Sequence, residues 1–171
     1  MGDNPREALT RYLQEHYAAS AGGLSLFERC AASQTEPHVR SALADLTAEV
    51  AEDRAALLAI LTTLGVQPSP AKARLVALGE RVGRLKTNGT LLRRSRLSDL
   101  LELEALGSAL QVTKLGWLCL RELSEADRRL NPYQLDLLVR RAQTQQERVE
   151  SLRLQTARDV LATPGGAEED A

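Results

Sequence analysis

His16 sits in the stretch YLQEHYAASAGGLSLFERC, residues 12 to 30, and is the kind of side chain that can ligate a metal or carry a proton near neutral pH. A helical rotation of about 100° per residue puts Leu9, Leu13, Leu24 and Phe27 on one stripe, with His16, Ser20 and Gly23 between them. In the second helical region the stripe is Leu43, Leu46, Val50, Leu57, Leu61 and Leu64; Asp53 lies within it, Glu49 on its flank, and Glu52 points away. The third is apolar nearly all round, with Glu104, Gln111 and Lys114 sharing a narrow polar strip. In the fourth, Gln145 and Thr156 share the inward stripe of Leu135, Leu138, Ala142, Val149, Leu152 and Val160.

Two chemistries suit such inward polar groups. The first is mutual satisfaction inside a core: an unpaired carboxylate in a dry interior costs about several kcal/mol, so Asp53 needs a donor. His16 lies at similar depth in an antiparallel hairpin and is the expected partner, giving a buried polar pair, with Ser20 and nearby backbone as further partners. The second is metal binding, with His16, Glu49, Asp53, Glu104 and Glu150 as the candidate ligands for iron or manganese. No nucleophile–base–acid constellation is visible, so no catalytic residue is assigned; the chain has 2 histidines, and His38 falls at an exposed helix start.

Four helices must position these groups. NPRE opens the first, with Asn4 as cap, Pro5 at the first helical position and Glu7 completing a capping box; NPYQ repeats the grammar with Asn131, Pro132 and Gln134. SQTEPH separates helices 1 and 2, Gly65 stops helix 2, helix 3 runs from near Ser95 to about Ser124, and helix 4 from Pro132 to about Ala162. Short connections make 1–2 and 3–4 antiparallel hairpins. Residues 66 to 94 are long enough to return along helices of about 42 Å, which makes helices 2 and 3 parallel. That crossover contains its own helical spacing, in Leu75, Leu78, Val82 and Leu85. The expectation is an all-α four-helix bundle, a single domain over residues 1–162, followed by a disordered acidic tail at 163–171.

Composition agrees. The chain has 171 residues, is rich in Leu, Ala, Arg and Glu, and is 3% aromatic, which favours helix over sheet. A formal charge of −1 gives no overall pull towards nucleic acid or a membrane surface. Its distribution is uneven: Lys72, Arg74, Arg81, Arg84, Lys86, Arg93, Arg94 and Arg96 face only Glu80 in the crossover. Arg84, Lys86, Arg93, Arg94 and Arg96 are thus candidate anion-binding residues, against a role in neutralising the acidic helices. The stretch lacks aromatics to stack bases and a Gly-rich phosphate loop, which argues against nucleic acid. Cys30 and Cys119, without metal-ligand spacing, read as reduced, partly buried thiols. The amino-terminal residues lack the pattern of a signal peptide and no apolar run approaches the roughly 18 residues of a membrane span, so a cytoplasmic protein is expected.

Four long helices, one crossover and inward polar groups at mid-bundle resemble the ferritin-like superfamily over about residues 4–162, and the chain is similar to small ferritin-like bacterial proteins rich in Leu, Ala and Arg. In di-iron members, helices 1 and 3 each supply a Glu and helices 2 and 4 each supply Glu-x-x-His. Here helix 2 reads EVAED (Glu49, Glu52, Asp53) and helix 4 reads ERVES (Glu147, Glu150), both without the histidine. His16 stands where helix 1 would offer a carboxylate, Glu104 is the helix 3 candidate, and Glu147 projects to solvent. The resemblance implies ferritin-like topology without the di-iron chemistry.

The function expected from these observations is non-enzymatic, through binding a protein partner or through self-association along helix 3 or the crossover. Ala105, Ala109 and Gly116 offer helix 3 a small-residue face for close packing. The alternatives are an oxidoreductase or metal-storage protein with an altered site, and an anion or nucleic-acid binder using the basic crossover. Nothing in the sequence speaks against a small-molecule pocket between the helices.

Overall fold

The computed structural model describes residues 4–69 and 95–162. Within them the chain forms α1 (Pro5–Ser33), α2 (Pro37–Thr63), α3 (Arg96–Leu123) and α4 (Pro132–Leu161), an all-α four-helix bundle. The expected crossover helix, the acidic tail, and Arg84, Lys86, Arg93 and Arg94 lie outside the described residues.

The helices begin and end where their caps dictate. Asn4 Oδ1 accepts from Arg6 N–H at 3.1 Å, Asn131 Oδ1 from Gln134 N–H at 3.2 Å, and Ser95 Oγ from Ser98 N–H at 3.3 Å, each satisfying a donor that the first turn leaves unpaired. α2 starts without a side-chain cap, on Pro37 after Glu36. It ends at Gly65, whose φ of +72° is the left-handed conformation glycine adopts at little cost. Val66 N–H then reaches back to Leu61 O at 2.9 Å and Gly65 N–H to Thr62 O at 3.0 Å, the paired bonds of a Schellman ending.

Contacts at the two ends of the bundle set the helix directions. Gln14 Nε2 donates to Gln67 O at 2.8 Å, tying the start of α1 to the chain just past α2, and Arg129 Nη1 reaches Leu64 O at 3.4 Å from the α3–α4 connection. At the other end, Gln34 Nε2 donates to Asp99 O at 3.2 Å and Thr35 N–H to Asp99 Oδ2 at 3.2 Å, tying the α1–α2 turn to the first turn of α3. The carboxyl end of α2 and the amino end of α3 therefore stand at opposite ends of the bundle, and the two helices run parallel. α1 packs on α2 and α3 on α4 as close hairpins, α1 also meets α3, and α2 and α4 make the sparsest contact.

The core is divided. One apolar cluster gathers Leu13, Leu57, Leu61, Trp117, Leu120 and Leu135 with their neighbours, and the other Phe27, Leu43, Leu46, Leu103, Leu106 and Val149. Between them, every helix places a polar or small residue at the same level: His16, Ser20 and Gly23 in α1, Asp53 in α2, Thr113 and Gly116 in α3, Gln145 in α4. The predicted rotations hold for α2 and α4, where Asp53, Gln145 and Thr156 are buried. α3 is not enclosed all round: Leu97, Leu101, Val112, Leu115 and Leu118 are between 44% and 55% exposed, giving it an outer apolar stripe. Cys30 is buried but Cys119 is exposed, and neither forms a disulfide among the described residues.

Candidate functional site

Asp53 is the buried charge around which the middle layer is built. Its side chain is 4% exposed, so it must be answered by protein donors, and these come from α4. Arg141 Nε donates to Asp53 Oδ1 at 2.7 Å, Arg141 Nη2 shares the same oxygen, and Gln145 Nε2 donates to Oδ2 at 2.9 Å. Around this pair, Arg141 Nη1 binds Glu52 Oε2 at 3.0 Å, Gln145 Nε2 also approaches Glu49 Oε2 at 3.3 Å, and Arg148 pairs with Glu49 Oε1. Burial pushes the Asp53 carboxyl above the ordinary carboxylate range; the Gln145 amide and the Arg141 guanidinium pull it back, while Glu49 adds to the rise. The arrangement neutralises charge between α2 and α4 with long side chains, in keeping with their sparse contact.

On the other side of Asp53, towards α1 and α3, lies a cavity of about 190 Å³. Its lining is mostly apolar, with Phe27, Val50, Leu57, Leu110 and Trp117 among its walls, and it reaches the exposed Ala19 and Val112. Two glycines shape it. Gly23 has open space where a side chain would begin, and a Cβ at position 116 would stand 3.0 Å from His16 Nδ1 and 3.2 Å from its Cε1. A Cβ there would press on the imidazole and push it a few tenths of an ångström from the α3 backbone. Trp117 is 3% exposed, and its indole N–H has no acceptor among the described residues. An unmet buried donor costs about 1–3 kcal/mol. The Gln145 Oε1 atom on the α4 side is likewise without a donor there.

His16 lines this cavity, half-buried, and stacks on Tyr12 with ring centroids 4.4 Å apart at 46°. No hydrogen bond joins it to Asp53 among the described residues; Asp53 takes its donors from α4 instead. Ser20, the other anticipated partner, donates to Tyr17 O at 2.8 Å and receives Arg54, whose guanidinium also donates to Tyr17 O at 2.7 Å and lies 4.0 Å from the Tyr17 ring centroid. Burial lowers the His16 pKa, which keeps the imidazole neutral at pH 7. Tyr12, beside it, has its phenol pushed well up by burial and by its contact with Cys119.

The five candidate metal ligands fall in separate places. His16 is on the cavity wall, and Asp53 and Glu49 face Arg141 and Arg148 of α4. Glu104 and Glu150 share a groove between α3 and α4 near Gly107, where Arg153 meets Glu150 at 2.7 Å and Glu104 at 3.7 Å. Among the described residues no group of three or more His, Cys, Asp or Glu side chains could hold one ion. Of the anion-binding candidates, Arg96 is described, and it pairs with Glu36 at 3.2 Å across an exposed contact. No helix among the described residues is long and apolar enough to cross a membrane.

Sequence reasoning passed over Arg141, which projects from the flank of its helix, and the buried pair Gln34 and Asp99. An Asp four residues past the Ser95 cap reads as an ordinary acidic first turn. Its burial depends on the α1–α2 turn folding over it.

Substituting Arg141→Met leaves the Asp53 carboxylate with the Gln145 amide alone and should lower the unfolding free energy by about 3 kcal/mol in urea denaturation. Adding Asp53→Leu should recover most of that loss, since the buried charge is then gone. A double variant as unstable as the single one would mean that the charge is not the origin of the defect.

His16 sets a pH dependence of known sign. Its folded-state pKa lies below the ordinary 6.5, so as pH falls the unfolded chain takes up the proton first. The contribution of the neutral imidazole is complete above 6.5 and is lost as pH falls through that value towards the folded-state pKa. Stability should therefore decline as pH falls through 6.5, and decline less in His16→Gln; parallel profiles for the two proteins would contradict this.

No family model, curated protein or solved structure matches this chain, so its function is read from the site itself.

Proposed function

We propose that this is a non-enzymatic binding protein that takes a compact, largely apolar molecule into the cavity between α1, α2 and α3. The observation that carries the reading is the cavity itself, of about 190 Å³ and lined by residues of both apolar clusters. A cavity of about 150 Å³ is enough to hold benzene, and close-packed interiors leave few voids of that size. Gly23, on a helix where a larger side chain would fill the space at a gain in helix propensity, leaves it open.

A ferritin-like relationship belongs to the same proposal. It is supported by the two antiparallel hairpins, the parallel α2 and α3, and the polar layer at mid-bundle. A metal-dependent role has weaker support, because Glu49, Asp53, Glu104 and Glu150 each face an arginine.

The sole tryptophan, Trp117, lines the cavity and reports on it directly. Adding isopropylbenzene to the wild-type protein should change Trp117 fluorescence and raise the melting temperature by mass action. Gly23→Leu should be more stable than wild type by about 1 kcal/mol, from helix propensity and the filled space, yet give neither response. A wild-type protein indifferent to the hydrocarbon would reject the reading.

A second reading, self-association through α3, is supported by the outer stripe of Leu97, Leu101, Val112, Leu115 and Leu118. Sedimentation should give a dimer that Leu101→Glu with Leu115→Glu converts to monomer. A monomeric wild type at micromolar concentrations would dismiss it.

A further inference from the structure

We infer that the ligand of this cavity is a compact neutral hydroxyl compound, a phenol, and that the His16 imidazole on the cavity wall is the group that recognises its hydroxyl. The inference rests on the binding reading above and names the ligand chemistry of the same site.

The imidazole is half-buried at the cavity, and neither ring nitrogen has a hydrogen-bond partner among the described residues. Neither nitrogen is sealed off: the buried side-chain atoms left without a partner are Trp117 Nε1 and Gln145 Oε1. The Nδ1–Cε1 edge of the ring is turned towards Gly116, a second lining residue, which has no side chain to cover it. The contact with Tyr12 is between rings and engages neither nitrogen in a hydrogen bond.

The hydroxyls and the carboxylate at the cavity are already engaged. Ser20 Oγ donates to Tyr17 O at 2.8 Å, Thr113 Oγ1 donates to Ala109 O at 3.2 Å, and Asp53 is held by Arg141 and Gln145. Arg54 directs Nη1 to Tyr17 O and Ser20, but its remaining N–H groups make it the competing donor, one suited to an anion.

Burial keeps His16 neutral at pH 7, and a neutral imidazole has one N–H donor and one bare nitrogen that accepts. A ketone oxygen can meet only the N–H. A hydroxyl can donate to the bare nitrogen or accept from the N–H, so it fits either tautomer. A phenol has a more acidic hydroxyl than an aliphatic alcohol, and its ring suits a mostly apolar cavity of about 190 Å³, given that about 150 Å³ holds benzene. Apolar walls for the ring and a placed polar group for its hydroxyl are the usual division between affinity and orientation in a small-molecule site.

Phenol and toluene differ by a hydroxyl in place of a methyl, so the ratio of their affinities isolates the hydroxyl; benzoate reports on Arg54. In calorimetric titration at neutral pH, wild-type protein should bind phenol at least as tightly as toluene, although water holds the hydroxyl more strongly, and benzoate most weakly. In His16→Leu the phenol-to-toluene ratio should fall about tenfold while toluene still binds. A second measurement does not depend on that variant folding. In nitrogen NMR of the wild-type protein, phenol should shift the His16 ring nitrogens well beyond any shift with toluene, with the exposed His38 imidazole unmoved.

Tighter binding of toluene than of phenol by the wild type, a ratio unchanged in His16→Leu, or ring nitrogens that respond alike to both compounds would overturn the assignment of His16 and leave the cavity-binding proposal standing. Tightest binding of benzoate would overturn it in favour of Arg54. Binding of none of the three would remove both proposals together.

Discussion

A carboxylate inside a helical bundle has to be answered from a neighbouring helix, because its own backbone donors are committed to the helical ladder, and water is excluded. Asp53 imposes that requirement here. Its donors, Arg141 and Gln145, come from α4, and with Glu49, Glu52 and Arg148 they make the α2–α4 interface one of long polar side chains rather than close aliphatic contact. A guanidinium and an amide need room to reach across, and α2 and α4 have the sparsest contact of the bundle. The polar layer also divides the core, since aliphatic side chains cannot continue through it, and the two clusters form on either side.

The same level of the bundle contains the cavity, and the reason is again local chemistry. On α1 it is occupied by His16, Ser20 and Gly23, none of which fills space as leucine would. Gly116 on α3 allows the imidazole to sit against its backbone, and Gly23 leaves the space beyond unfilled. Small and polar residues at this level leave a gap, and it falls where a ligand would be surrounded by α1, α2 and α3. The tie between Gln34 and Asp99 at one end and between Gln14 and Gln67 at the other holds α1 in place along that gap.

Much of the fold was legible in the sequence. The Asn–Pro starts at Asn4 and Asn131 and the stop at Gly65 are local events, decided by a few consecutive residues and the unpaired backbone groups of a helix end. Rotation by residue number likewise identified Asp53, Gln145 and Thr156 as buried, since the phase along one helix needs no knowledge of its neighbours. The candidate site was less legible. His16 was expected against Asp53 from depth and chemistry, but neither fixes the distance and rotation between two helices, and α4 offered stronger donors from its flank. Glu104 and Glu150 stand near one another but meet Arg153, a pairing that needs the register of α3 against α4.

What the sequence determined by itself was thus the set of four amphipathic helices, their ends, and which side chains would have to leave water, all consequences of short-range backbone hydrogen bonding and helical periodicity. Only the tertiary structure decided who answers the Asp53 charge, where the carboxylates disperse, and that His16, Gly23, Gly116 and Trp117 enclose a cavity. Those outcomes depend on how far one helix axis stands from the next and how far a side chain can reach across, and residues 88 positions apart, such as Arg141 and Asp53, carry no local trace of either.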